Sequence, residues 1–180
     1  SAEMKPWRAF EEGHAVHQFA TMTFIRGGLI AIGITLLGGI LAALYSMPSL
    51  APSFQEIGLD LRQLRPIHTV FASAWVFLGG VAVVHRYLQD CGPPTLGDRW
   101  RLRVQVASWA AAGVGILVTL SLGIGSGREY VGFHPVLSLL ILLGWLCFAW
   151  NFFRVAGPRF WERPAYITMW GVGMLFFIWT

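Results

Sequence analysis

The sequence predicts an all-α polytopic membrane protein with about five transmembrane helices. Of its 180 residues 56% are hydrophobic and only 12% are charged, which is too few charged side chains to cover a water-soluble globule of this size. Apolar runs of about 20 residues, the length that crosses a bilayer as a helix, recur along the chain. These runs lack the alternation of barrel strands, so their backbone groups are expected to bond within helices.

The first two runs are bounded by charges and prolines. Residues 27–47 follow Arg26 and end at Pro48, and residues 68–85 follow an Arg-Pro pair and end at Arg86. Each run is long and uniformly apolar, which predicts a membrane-spanning helix.

The last three runs have similar boundaries. Residues 104–125 follow Arg103, whereas residues 135–153 and 164–180 each have a proline at or beside the first helical turn, where proline is well tolerated. The polar residues 1–26 are predicted to form a cytoplasmic or interfacial tail, and residues 27–180 a single five-helix transmembrane domain.

The distribution of basic residues predicts the orientation. Ten of the 13 Lys and Arg residues lie in the tail and in the loops near residues 86–103 and 154–163, and three lie in the remaining loops. By the positive-inside rule the N-terminus is expected in the cytoplasm. The basic residues flank apolar runs and form no stripe, so a nucleic-acid partner is not expected.

Histidines near the helix ends are the candidates for chemistry. His68 and His134 are expected at the outer level of the bundle, and a neutral imidazole beside cations suits a heme iron and its propionates. Arg62 and Arg65 precede His68 and supply those cations. The alternative is an interfacial His68 that hydrogen-bonds a carbonyl. The two outer histidines allow a bis-His b-type heme held by His68 and His134.

A second hypothesis is an inner heme held by His85 with His14 or His17. His68 and His85 lie about 25 Å apart along one helix and point about 100° away from each other, whereas a helix with two hemes would carry both ligands on one face. His85 and Arg86 are therefore interpreted as an interfacial pair at the inner end of the helix.

Other polar and small residues are predicted to pack helices together. Asn151 is a candidate for a hydrogen bond between helices, and several glycines are expected to allow close helix contacts. These glycines are residues 38, 39, 79, 80, 113 and 115.

The segment Leu64-Arg65-Pro66-Ile67-His68-Thr69-Val70-Phe71-Ala72 resembles the second helix of subunit I of the heme-copper oxidases, closest to the cbb-type oxidases and nitric oxide reductases. Further similarity follows in order and spacing at Gly127-Arg128-Glu129-Tyr130, Gly144-Trp145, Ala149-Trp150-Asn151-Phe152-Phe153, Tyr166 and Trp170. The resemblance covers residues 25–180.

The resemblance implies that His68 is an axial ligand of a low-spin heme b, with Arg65 and Arg62 at its propionates. It implies an electron donor such as cytochrome c or quinol, and a bacterial or archaeal cytoplasmic membrane. In that family the ligands of copper, of the high-spin heme and of the second low-spin axial position lie in later helices. Copper is therefore not expected to bind this chain, which has no catalytic residues of its own for reducing oxygen or nitric oxide.

The last run has no polar residue to end it, so the sequence is expected to continue into a longer architecture. We expect a fragment, a split subunit or a shortened relative, whose partners are other membrane subunits or the C-terminal half of subunit I. Two alternatives stay open: a heme-free subunit that scaffolds a complex, and an independent bis-His cytochrome b.

Overall fold

The structure is a computed structural model that describes residues 6–91, 96–128 and 132–179, with side chains for residues 15–91, 99–128 and 132–176. The described residues form six α-helices and no strand. The helices are α1 (Pro6–Tyr45), α2 (Ala51–Glu56), α3 (Leu61–Leu88), α4 (Leu96–Ser121), α5 (Pro135–Ala156) and α6 (Ala165–Trp179). The predictions for the His14 side chain, for Glu129 and Tyr130, and for Thr180 lie outside the described residues.

Four of these helices are long and apolar enough to cross a membrane. The candidate spans are Ala15–Tyr45, Leu61–Cys91, Arg99–Ser121 and Pro135–Ala156. Helix α6 is apolar but contributes a shorter segment, Ala165–Phe176. The all-helical membrane fold predicted from the sequence is confirmed at this level.

Helix α1 begins well before the predicted position. It is continuous from Pro6, and its first half buries His17, Ala20 and Phe24 against α3. The polar tail predicted for residues 1–26 is therefore largely helical. In the sequence the apolar positions of this segment lie among charged residues, which made it look like a polar tail.

Helix α3 also begins earlier than residue 68, because Asp60 caps it. The Asp60 carboxylate accepts hydrogen bonds from the backbone N–H groups of Arg62 (2.7 Å) and Gln63 (3.2 Å), and Gln63 Oε1 accepts one from the Asp60 N–H (3.0 Å). This capping box satisfies N–H groups that a helix start leaves without partners. Pro66 consequently lies inside the helix.

Neighbouring helices run antiparallel. Thr21 Oγ1 lies 3.5 Å from the Ala82 carbonyl and Thr35 Oγ1 lies 2.7 Å from the His68 carbonyl, so α1 and α3 run in opposite directions. Gln63 Nε2 donates to the Ser121 carbonyl (3.0 Å), which joins the start of α3 to the end of α4. We call the end where α1 begins the N-terminal end of the bundle, and the other the opposite end.

Two hydrophobic clusters fill the bundle. The cluster at the N-terminal end includes Phe24, Leu88, Phe148 and Phe152, and the cluster at the opposite end includes Phe71 and Phe133. Large apolar side chains remain exposed along all the spans. Such surfaces are expected of helices that face lipid.

Four of the six predicted packing glycines have close neighbours. A Cβ atom at Gly38, Gly39, Gly80 or Gly115 would lie within 3.5 Å of a neighbouring helix. A Cβ atom at residue 79 or 113 would meet no atom of another helix within 4 Å in the described part of the chain. The close sites depend on glycine because a methyl group would push the helices apart.

We expect Gly80→Ala to weaken the attachment of α6. The new Cβ would lie 2.9 Å from Cη2 of Trp170 in α6, and overpacking of this kind costs about 1–3 kcal/mol. Gly79→Ala, one residue away, is the control, because its Cβ meets open space. Thermal unfolding in detergent should show a lower midpoint for Gly80→Ala alone.

Replacing the indole with a smaller ring should remove the overlap. The double variant Gly80→Ala/Trp170→Phe is expected to be more stable than the sum of its single changes predicts. Equal destabilisation by alanine at positions 79 and 80 would contradict this account of how α6 is held.

Candidate functional site

His68 is held between α1 and α3 by a reciprocal pair of hydrogen bonds. Its Nδ1 lies 2.8 Å from the Thr35 carbonyl oxygen, and Thr35 Oγ1 donates to the His68 carbonyl at 2.7 Å. The ring is half-buried. Because both hydrogen bonds join Thr35 and His68, they fix the position of the ring along α1 and its rotation relative to that helix.

Two glycines make room for this contact. A Cβ at Gly38 would lie 3.4 Å from the His68 backbone nitrogen, and one at Gly39 would lie only 2.8 Å from His68 Nδ1. The imidazole therefore occupies the space that a side chain at position 39 would need. In the sequence, the Gly38-Gly39 pair in α1 indicates where His68 packs against that helix.

The hydrogen bond determines the tautomer of the neutral His68 ring. A carbonyl oxygen only accepts, so Nδ1 carries the proton and Nε2 carries the lone pair. Histidines that bind metals commonly donate their second ring N–H to a carbonyl or carboxylate in this way, which orients the ring and raises its basicity. The local geometry of His68 thus fits that of an axial ligand.

Arg62 and Arg65 lie in the first turns of α3, and both side chains are exposed. Arg65 precedes His68 by three residues and therefore shares its side of the helix. Arg62 is displaced further around the helix axis. Both arginines therefore lie in α3 at the end of the bundle where His68 lies.

His134 is an exposed residue at the start of α5, where it caps the helix. Its Nδ1 accepts a hydrogen bond from the Val136 N–H at 3.3 Å, immediately after Pro135 at the first helical position. In a neutral ring this places the proton on Nε2. Coordination through Nε2 would require the other tautomer and would remove the capping bond.

The segment before α5 nevertheless lies at the same end of the bundle as His68. A Cβ on Gly132 would come within 3.3 Å of Pro66 Cβ, close to the start of α3. The expectation that His68 and His134 occupy one level therefore agrees with this contact. Their described hydrogen bonds go to different helices.

The interpretation of His85 as an interfacial residue is wrong. His85 is 3% exposed, whereas Arg86 is exposed and its Nη1 donates to Gln89 Oε1 at 3.3 Å. The reason lies in the helix boundaries, since α1 starts at Pro6 and α3 continues to Leu88. Residue 85 therefore lies within the packed bundle rather than at its surface.

Aromatic rings surround the His85 imidazole. Phe24 stacks on it with a centroid separation of 5.6 Å and an angle of 10°, and Phe148 lies at 5.4 Å. The ring of His17, also 3% exposed, is 5.8 Å away. The two inner histidines that the sequence placed at one level are therefore direct neighbours.

A small cavity adjoins this pair of histidines. Its volume is about 10 Å³, the size of one water molecule. Residues from α1, α3, α4 and α5 line it: Val16, His17, His85, Leu88, Leu102, Asn151 and Val155.

Polar side chains without hydrogen-bond partners are concentrated here. Among the described side chains, both ring nitrogens of His85 and both amide atoms of Gln105 are buried and have no hydrogen-bond partner. Each such group costs about 1–3 kcal/mol. Gln105, which is fully buried in α4, was missed by the sequence analysis, although a lone amide within an apolar run was the signal that could have identified it.

We expect His85→Phe to leave the protein as stable as before or slightly more stable. The phenyl ring keeps the stack with Phe24 and Phe148 and removes two nitrogens that lack partners, a change worth about 1 kcal/mol. His85→Lys should destabilise by more than about 3 kcal/mol, because it buries an unpaired charge. Denaturant unfolding in detergent measures both. A large loss of stability in His85→Phe would show that the imidazole nitrogens do have a partner.

No protein-family model, curated protein or solved structure matches this chain.

Proposed function

We propose that this chain is a membrane subunit that carries a low-spin b-type heme within a respiratory complex of the heme-copper oxidase or nitric oxide reductase kind. The hydrogen bond from His68 Nδ1 to the Thr35 carbonyl is the observation that carries the proposal, because it leaves Nε2 as the metal-binding nitrogen. The resemblance around Arg65-Pro66-Ile67-His68 supports it independently.

In this proposal each residue has a defined role. His68 donates its Nε2 lone pair to the iron, while Thr35 and Gly39 hold the ring in place. Arg65, and further around the helix Arg62, neutralise the propionates. A heme bound in this way would accept and pass on one electron at a time.

The surroundings of the site would set its reduction potential. Ile67 and Phe71, which are close to His68 along α3, belong to the apolar cluster at the opposite end, and apolar surroundings lower the local dielectric. A nearby guanidinium favours the reduced, less positive state of the iron. Hydrogen bonding at Nδ1 has the opposite effect, because it makes the imidazole a stronger donor.

The proposal includes a membrane arrangement. The N-terminus lies in the cytoplasm, α6 forms part of a fifth span, and His68 lies toward the outer side, where a donor such as cytochrome c or quinol delivers electrons. Other membrane subunits, or a C-terminal half of subunit I, supply the remaining heme ligand and the groups that reduce the terminal acceptor.

A heme-free scaffold is the second candidate function. The reciprocal hydrogen bonds between Thr35 and His68 would also lock α1 onto α3 without any cofactor. In a third arrangement, an independent bis-His cytochrome b, His134 would give up its bond to the Val136 N–H.

A heme-binding test with purified full-length chain separates these candidates. With the proposed ligand, His68→Ala should abolish the Soret and α bands of the purified protein, whereas His134→Ala should retain them because that ring caps α5. Loss of the bands in both variants would favour the bis-His cytochrome. If the purified chain shows no heme spectrum, either alone or with its co-purifying membrane partners, the heme-free scaffold is the remaining candidate.

Alanine at two glycine positions in α1, 39 and 33, tests how the His68 ring is oriented. Gly39→Ala places a Cβ 2.8 Å from His68 Nδ1 and must displace the ring or break its bond to the Thr35 carbonyl. We expect a shift of the heme bands and of the reduction potential. Gly33→Ala, on the same helix with open space around its Cβ, should change neither. Identical spectra for the two variants would contradict the proposed role of position 39.

A further inference from the structure

The loop between α5 and α6 forms an open cavity at the N-terminal end of the bundle. Its volume is about 370 Å³, and it is lined by the last residue of α5, Ala156, and by five residues of the loop: Gly157, Pro158, Arg159, Glu162 and Arg163. Gly157 ends α5 with a φ of 84°, a left-handed conformation that favours glycine. The turn brings the two arginines of the loop around one space.

The Arg163 side chain is held in place by the end of α5. Its Nε donates to the Ala156 carbonyl at 3.1 Å, a carbonyl in the last turn that has no helical partner of its own. This bond uses one of the five guanidinium donors and leaves the two terminal nitrogens for another acceptor. Thr168 Oγ1 ties the same loop to α6 through the carbonyls of Phe160 (3.1 Å) and Arg163 (3.3 Å).

The cavity lies at the level where a membrane would end. The candidate span in α5 finishes at Ala156, which is also the first residue that lines the cavity. Trp161, in the same loop, is 61% exposed, and Tyr166 at the start of α6 is 40% exposed. Exposed Trp and Tyr side chains at the ends of apolar helices are typical of the lipid headgroup region.

Basic residues dominate this end of the molecule. The exposed side chains of Arg86, Arg154, Arg159 and Arg163 lie there with those of Asp90 and Glu162, and Arg101 lies 4.9 Å above the Trp150 ring. Arginine binds phosphate through two parallel N–H donors, which lysine cannot do. A phosphate at the membrane surface is thus the ligand that best matches the charge and shape of the cavity.

We propose that the α5–α6 loop binds the phosphate group of an anionic phospholipid through Arg163 and Arg159. The headgroup would occupy the cavity, and its acyl chains would lie along the exposed apolar surface of α5 and α6. Glu162 lines one side of the cavity and would favour a headgroup that offers a hydroxyl donor, such as a glycerol, beside its phosphate. This site is independent of the proposed heme at the opposite end.

Native mass spectrometry of the full chain in detergent tests this proposal. Phosphatidylglycerol should bind in preference to phosphatidylcholine, and Arg159→Gln/Arg163→Gln should weaken its binding about tenfold, since each arginine near an anionic surface contributes roughly a factor of several. Arg128→Gln is the matched control, because it removes an exposed loop arginine at the opposite end. It should leave phosphatidylglycerol binding unchanged.

Two further variants separate recognition from folding. Arg159→Gln alone removes a charge from an exposed side chain and should weaken binding without changing the thermal midpoint. Arg163→Lys keeps the charge but loses the forked donor and the bond to Ala156, and should bind more weakly than the native chain.

A competition experiment with inorganic phosphate shows whether the site binds a lipid phosphate or a soluble one. Millimolar inorganic phosphate should not displace phosphatidylglycerol, because the apolar faces of α5 and α6 hold the acyl chains. Displacement by inorganic phosphate would overturn the lipid assignment in favour of a soluble anion. Equal phosphatidylglycerol binding by the native chain and the double arginine variant would overturn the site itself.

Discussion

The structure depends on the close approach of α1 and α3 at Gly38, Gly39 and His68. Within a membrane, packing between helices comes from van der Waals contact and hydrogen bonds rather than from the hydrophobic effect. Two glycines remove the side chains that would keep the helices apart, and Thr35 and His68 then exchange hydrogen bonds across the gap. One contact therefore aligns the helix pair and orients the imidazole.

The histidines at the two ends of the bundle have different surroundings. At the opposite end His68 uses one nitrogen in a hydrogen bond to a carbonyl and remains half-buried, which leaves a lone pair that can bind a metal. At the N-terminal end His85 is enclosed by the rings of Phe24, Phe148 and His17, beside a space for one water molecule. Burial alone thus does not identify a cofactor ligand; a hydrogen bond that orients the ring and leaves one nitrogen unprotonated is also needed.

The sequence predicted the helical membrane fold because length and apolar composition alone determine it. It did not locate the start of α1, because Glu11, Glu12 and two histidines made residues 1–26 look like a polar tail. The start of α3 was missed for a different reason. Asp60 and Gln63 form a capping box that an apolar window does not detect. His85 was placed at the surface because the sequence analysis ended its helix at residue 85 and began α1 at residue 27, beyond its neighbours His17 and Phe24.

Only part of the chemistry of the site could be predicted from the sequence, and the reason is physical. The identity of His68 as the principal candidate follows from local sequence, since its neighbouring arginines lie within two turns of the same helix. Its tautomer depends on the Thr35 carbonyl, which is 33 residues away along the chain. The same holds for the His17–His85 pair, where α1 and α3 must be in register before the rings can meet. Information of this kind resides in helix packing, so a one-dimensional pattern can propose a ligand but cannot determine which of its nitrogens is available.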